Sequence, residues 1–178
     1  MHCWKTVGVD RKYFFFRNFF ISAMVGLFVF ILLYIPMQLL FHEPLEDRNF
    51  LMFFLILLMI YPLHKLLHVI PIMDFRKHFI WRVNRYFRIL PVLSVKVMNP
   101  IPKGRYSIAL LFPFLSISAI LFAAIFLFPQ YGHYITILFA YHTAICVNDL
   151  IYVKMLMSTP RNALVEENEE GYEILVKE

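Results

Sequence analysis

The sequence predicts an all-α polytopic membrane protein with four transmembrane helices, and three observations carry that prediction. Apolar residues make up 61% of the chain and charged residues 16%, against roughly 25% charged in ordinary soluble domains. Four windows supply the ~20 apolar residues that a helix needs to cross the hydrocarbon. Lys and Arg are unevenly divided among the joining segments, as the topology of a multi-pass protein requires.

The elements follow in order. An N-terminal tail with Lys5, Arg11, Lys12 and Arg17 leads into a first span from about Phe19 to Phe41. That run is too long for a signal-peptide core and lacks a small-x-small exit, so cleavage is not expected. The loop His42 to Asn49 sets Arg48 against Glu43, Glu46 and Asp47. A second span runs from about Phe50 to Met73, and residues 74–105 form a basic central segment. There Phe79, Ile80, Val83, Phe87 and Leu90 recur at helical spacing, with Arg82, Arg85 and Arg88 between them. This predicts an amphipathic helix from Arg76 to Leu90 in the headgroup layer. Beyond Pro91, Val92 to Met98 alternates with a period of two and predicts a strand. Asn99 to Gly104 is a turn, and Arg105 to Ile108 is the expected return strand. A short β-hairpin is thus predicted between the second and third spans. The third span runs from about Tyr106 to Phe128 and the fourth from about Tyr134 to Met157. The tail, 158–178, is acidic from Glu166 onward and is expected to be a small appendage, so residues 1–178 form a single membrane domain.

Charge also bounds the function. The loop Pro129 to His133 has no Lys or Arg. The positive-inside rule therefore places both termini and the central segment in the cytoplasm, with the two short loops outside. The net charge of +5 reflects this topology and contact of the basic segment with anionic lipid. Nucleic acid is not expected, because no groove-reading motif is present. Cys3 and Cys146 lie in different environments, which argues against a disulfide framework.

Away from the last turn of each span, charged and imidazole side chains are few: His64, Lys65, His68, His142 and Asp149. Such groups are costly in hydrocarbon and mark functional sites. His64 and His68 are four apart and share one face of a helix. At 1.5 Å per residue, His64 lies roughly 21 Å below the outer end of its span and Asp149 roughly 22 Å below that of its own. Two imidazoles and a carboxylate at one depth match the three protein ligands of a catalytic zinc site. A plainer arrangement fits the same residues. The histidines can bond to backbone or lipid phosphate, Lys65 and His68 can reach for the interface, and Asp149 can pair with Lys65. His142, nearly two turns further out, is expected to be a hydrogen-bonded interior residue.

Several motifs in order carry a family resemblance. They are the helix with His64-Lys65-Leu66-Leu67-His68, the basic segment, and Ile101-Pro102-Lys103-Gly104-Arg105-Tyr106 leading into a span with Pro113. Asn148-Asp149-Leu150-Ile151-Tyr152 follows, then Thr159-Pro160-Arg161 and Gly171-Tyr172-Glu173-Ile174. This order resembles the small bacterial membrane family called putative zincin peptidase, frequent in spore-forming Gram-positive bacteria, over nearly the whole chain. That family is similar in layout to site-2-type intramembrane metalloproteases, which hold zinc by the two His of H-E-x-x-H and by a later Asp. The resemblance implies His64, His68 and Asp149 as zinc ligands and a bacterial plasma membrane location. It also implies a general-base Glu at position 65. This chain has Lys65 there, giving HKxxH, and Asn148 where the family has a small residue before the Asp.

A glutamate at that position takes and returns a proton during peptide hydrolysis. A charged lysine cannot. The expectation is an impaired, metallopeptidase-like pseudoprotease that binds another membrane-spanning protein. The alternatives are an active zinc metallopeptidase with an unusual base, and a small transporter or assembly factor in which HxxxH is fortuitous.

Overall fold

Four apolar helices and six short strands make up the computed structural model, which describes residues 2–8, 11–41, 44–73, 79–86, 90–97, 100–160, 162–168 and 171–176. Strand β1 spans His2–Gly8 and is followed by α1, Arg11–Leu40, and α2, Phe50–Leu67. The hairpin β2, Phe79–Tyr86, and β3, Leu90–Val97, comes next, then β4, Ile101–Pro102. Helices α3, Lys103–Leu127, and α4, Gly132–Met157, are joined by a 3₁₀ turn at Pro129–Tyr131. Strands β5, Ala163–Asn168, and β6, Gly171–Val176, end the described chain. Each helix contains a run long and apolar enough to cross a membrane. The chain is a multi-pass membrane protein.

The side chains divide as a bilayer requires. Phe20, Phe28 and Leu39 on α1, Leu51 on α2 and Ile120 on α3 are exposed apolar groups suited to lipid. Met37, Ile60, Ile117, Leu121, Ile125, Ile135 and Leu138 bring all four helices into one buried cluster. Helix α4 is central and packs against α1, α2 and α3. Small residues allow the closest approach. A Cβ at Gly26 of α1 would stand 3.1 Å from Cβ of Ala144 and 3.3 Å from the carbonyl oxygen of Ala140, both on α4. Without a side chain at 26, the backbones pack directly, the usual means of helix association in lipid.

The first helix begins at Arg11, ahead of the apolar run that follows it. The central segment needs correction. Phe79–Tyr86 is a strand rather than part of an amphipathic helix, paired antiparallel with β3 from Phe79↔Val97 to Tyr86↔Leu90. Phe79, Ile80, Trp81, Val83 and Tyr86 are aromatic or β-branched and favour a strand, and a partner strand lies close by in sequence. Arg76, Lys77, Phe87 and Arg88, also assigned to that helix, lie outside the described residues. Arg105 to Ile108 is likewise no strand. Helix α3 has already begun at Lys103, directly after Pro102.

The tail is more than an appendage. Strands β1, β6, β5 and β4 form an antiparallel four-stranded sheet in that order. The sheet joins the N-terminal strand, the start of α3 and the tail beyond α4. Ala163, Val165 and Ile174 pack from it onto Leu110, Val153 and Leu156 of α3 and α4. Lys103 locks the junction, donating from Nζ to the carbonyls of Thr159 at 2.6 Å and Leu156 at 3.1 Å. A cation at a helix C-terminus satisfies carbonyls that lack intrahelical partners.

Candidate metal centre

The centre lies where the end of α2 meets α4. One helical turn separates His64 from His68, so their rings meet edge to face with centroids 4.7 Å apart. Their Nε2 atoms are 3.1 Å apart. From α4, Oδ2 of Asp149 lies 3.0 Å from Nε2 of His64 and 3.5 Å from Nε2 of His68. His64 is fully buried, whereas the His68 side chain keeps 17% exposure and forms the accessible edge. Donors at about 2.0–2.2 Å from a tetrahedral zinc ion stand about 3.3–3.6 Å from one another. The observed triangle matches those edges to within a few tenths of an ångström.

The hydrogen bonding also points the right atoms inward. Nδ1 of His68 lies 2.8 Å from the carbonyl oxygen of Ala109. A carbonyl only accepts, so Nδ1 carries the proton and a neutral His68 presents a bare Nε2 to Asp149. That carbonyl is free for a specific reason. Four residues on, Pro113 has no N–H to give it. The proline is fully buried in α3. It thus frees the carbonyl that orients His68, an outer contact of the kind that fixes metal-binding imidazoles. The lone pairs of His68 Nε2 and the Asp149 carboxylate face each other. Either a proton on Nε2 of His64 or a cation is needed among them. Two imidazoles, one carboxylate and an accessible edge suit a zinc ion with an open coordination position.

The three residues assigned from the sequence therefore converge. Lys65, half-buried, is one position beyond His64 on the same helical turn. Asn148 turns away from the triangle and accepts a 2.8 Å hydrogen bond from Nδ2 of Asn18 on α1. His142 is fully buried and lies close to Ser118 and Cys146, as an interior histidine should. The sequence reading missed Cys146, whose Sγ is 3.7 Å from Nδ1 of His64. The spacing His142, Cys146, Asp149 follows a helix stripe of i, i+4, i+7 and was the available signal. Ala109 was missed as well, since its role is carried by a backbone carbonyl.

Fold and site together define a metallopeptidase-like integral membrane protein. Residues 57–164 match the model of a family described as putative zincin peptidase, and the chain belongs to that family. The matched region contains the whole triangle together with Cys146 and Pro113. No curated protein and no solved structure matches the chain.

Proposed function

We propose that this protein is a zinc-holding but catalytically impaired member of its family, a pseudoprotease that retains a membrane-spanning partner. The observation that carries the reading is Lys65 beside an otherwise complete triangle of His64, His68 and Asp149. Nε2 of each histidine and Oδ2 of Asp149 would hold the ion. Zinc supplies Lewis acidity when bound. Peptide hydrolysis also needs a group that accepts a proton and returns it to the leaving amine. The Lys65 ammonium has three N–H donors and no acceptor, so it can hold a carbonyl or carboxylate oxygen but cannot serve as that base. Ground-state binding then survives while turnover is lost.

The accessible edge at His68 limits what can reach the site. It lies at the C-terminal end of α2, within reach of the end of a span from another membrane protein. In the proposed topology the site is in the cytoplasmic third of a bacterial plasma membrane, with anionic lipid against the basic segment 74–105.

Elemental analysis of detergent-purified protein tests the first half of the reading. About one zinc per chain is expected, falling to background in His64→Ala, His68→Ala and Asp149→Ala. Equal zinc in all four proteins would remove the metal assignment. Incubation of the zinc-loaded wild type with single-span substrates tests the second half. No cleavage is expected, and turnover by the wild type would replace the pseudoprotease with an enzyme that uses an unusual base.

A further inference from the structure

A second set of donors lies directly behind His64. On α4, Nε2 of His142 and Sγ of Cys146 are 3.3 Å apart, and that sulfur is 3.7 Å from Nδ1 of His64. The three donor atoms all lie within 4.8 Å of one another. His64, His142 and Cys146 each have 0% exposure. The opposite ring nitrogens are engaged elsewhere: Nε2 of His64 faces Asp149, and Nδ1 of His142 is 3.4 Å from Oγ of Ser118. Among the described residues, the three inward donors therefore have only one another.

We propose that Cys146, His142 and Nδ1 of His64 form a binding site for a soft univalent cation, Cu(I). The spacing fits first. With metal–nitrogen bonds of about 2.0 Å and metal–sulfur bonds of about 2.3 Å, nitrogen and sulfur ligands stand about 3.6–3.7 Å apart. Donor chemistry agrees, because thiolate selects soft metals and imidazole suits copper. Charge then decides between ions. One thiolate and two neutral imidazoles carry a single negative charge. Cu(I) makes the site neutral, whereas a dication would leave a net positive charge inside the hydrocarbon on the same turn as Lys65. Uncompensated charge is expensive there. Binding breaks the Cys146 S–H bond, forms one Cu–S and two Cu–N bonds, and releases one proton to solvent. No electron changes hands. The site uses the face of His64 opposite to the zinc triangle. A neutral imidazole has only one bare nitrogen, so zinc on Nε2 leaves the proton on Nδ1. The two sites therefore share His64, and Cu(I) enters the zinc-free protein.

Cu(I) competition against a colorimetric chelator, with the full-length protein stripped of zinc and held in detergent under reducing conditions, tests the site. The wild type is expected to hold one Cu(I) per chain. Cys146→Ser and His142→Ala should each weaken binding more than tenfold, while His68→Ala and Asp149→Ala retain it. X-ray absorption at the copper edge of the wild type should show a sulfur neighbour, a readout that requires no variant to fold. Three results would overturn the site: wild-type affinity in Cys146→Ser, a copper spectrum without sulfur, or failure of the folded wild type to bind Cu(I). Loss in Asp149→Ala with retention in Cys146→Ser would equally refute it, placing copper in the triangle instead.

Discussion

Lys65 stands about 100° around α2 from His64, so it flanks the donor triangle without contributing to it. Its charge opposes a dication, and replacement by glutamate reverses that charge. Lys65→Glu is accordingly expected to tighten zinc binding at least tenfold, or about 1.4 kcal/mol, as read by chelator competition. Unchanged affinity would show that the ammonium lies too far from the ion to act on it. Much of this site could be read in the sequence, because charged and imidazole groups are conspicuous in apolar spans and depth along a helix is simple arithmetic. His64, His68 and Asp149 emerged in that way. Cys146 did not, because a cysteine is as apolar as its neighbours and shows its chemistry only beside His64 and His142.

At the scale of elements, Pro113 and Gly26 have opposite effects on their helices. Pro113 opens the ladder of α3 and frees the Ala109 carbonyl for His68. With Pro113→Ala, the new N–H competes for that carbonyl, and His68 loses its fixed orientation. Zinc affinity is expected to fall 10- to 100-fold while helix content by circular dichroism is maintained. Undiminished affinity would show that His68 is oriented by other means. Gly26→Leu acts on packing, since the added side chain must displace Ala144 or the α4 backbone. A loss of about 1–3 kcal/mol is expected from such overpacking, measured as a lower midpoint in detergent unfolding. Spans were legible from composition because hydrocarbon requires long apolar runs. The hairpin strands were not. Arginines between apolar residues fit a period of 3.6 as readily as one of two over so short a segment. Pairing with β3, a contact outside the segment itself, decides between them.

For the whole molecule, the sheet limits topology more tightly than charge counting. Strand β1 pairs with β6, and β4 at the start of α3 pairs with β5 beyond α4. The N-terminal strand, the start of α3 and the end of α4 therefore lie on one side. A reporter fused after Glu178 is expected to read cytoplasmic, as is one fused before His2. Opposite signals from the two fusions would contradict the sheet, and two extracytoplasmic signals would invert the proposed orientation. This sheet was hidden in the sequence because its strands are far apart along the chain and two of them lie in the tail. The Asn18–Asn148 hydrogen bond likewise joins residues 130 positions apart, which has a consequence during biosynthesis. Residues emerge at about 5–20 per second, so Asn18 waits about 7–26 s for its partner. Throughout that interval α1 carries an amide without its helix partner in the bilayer, which makes α1 a natural target for whatever accompanies unfinished membrane chains.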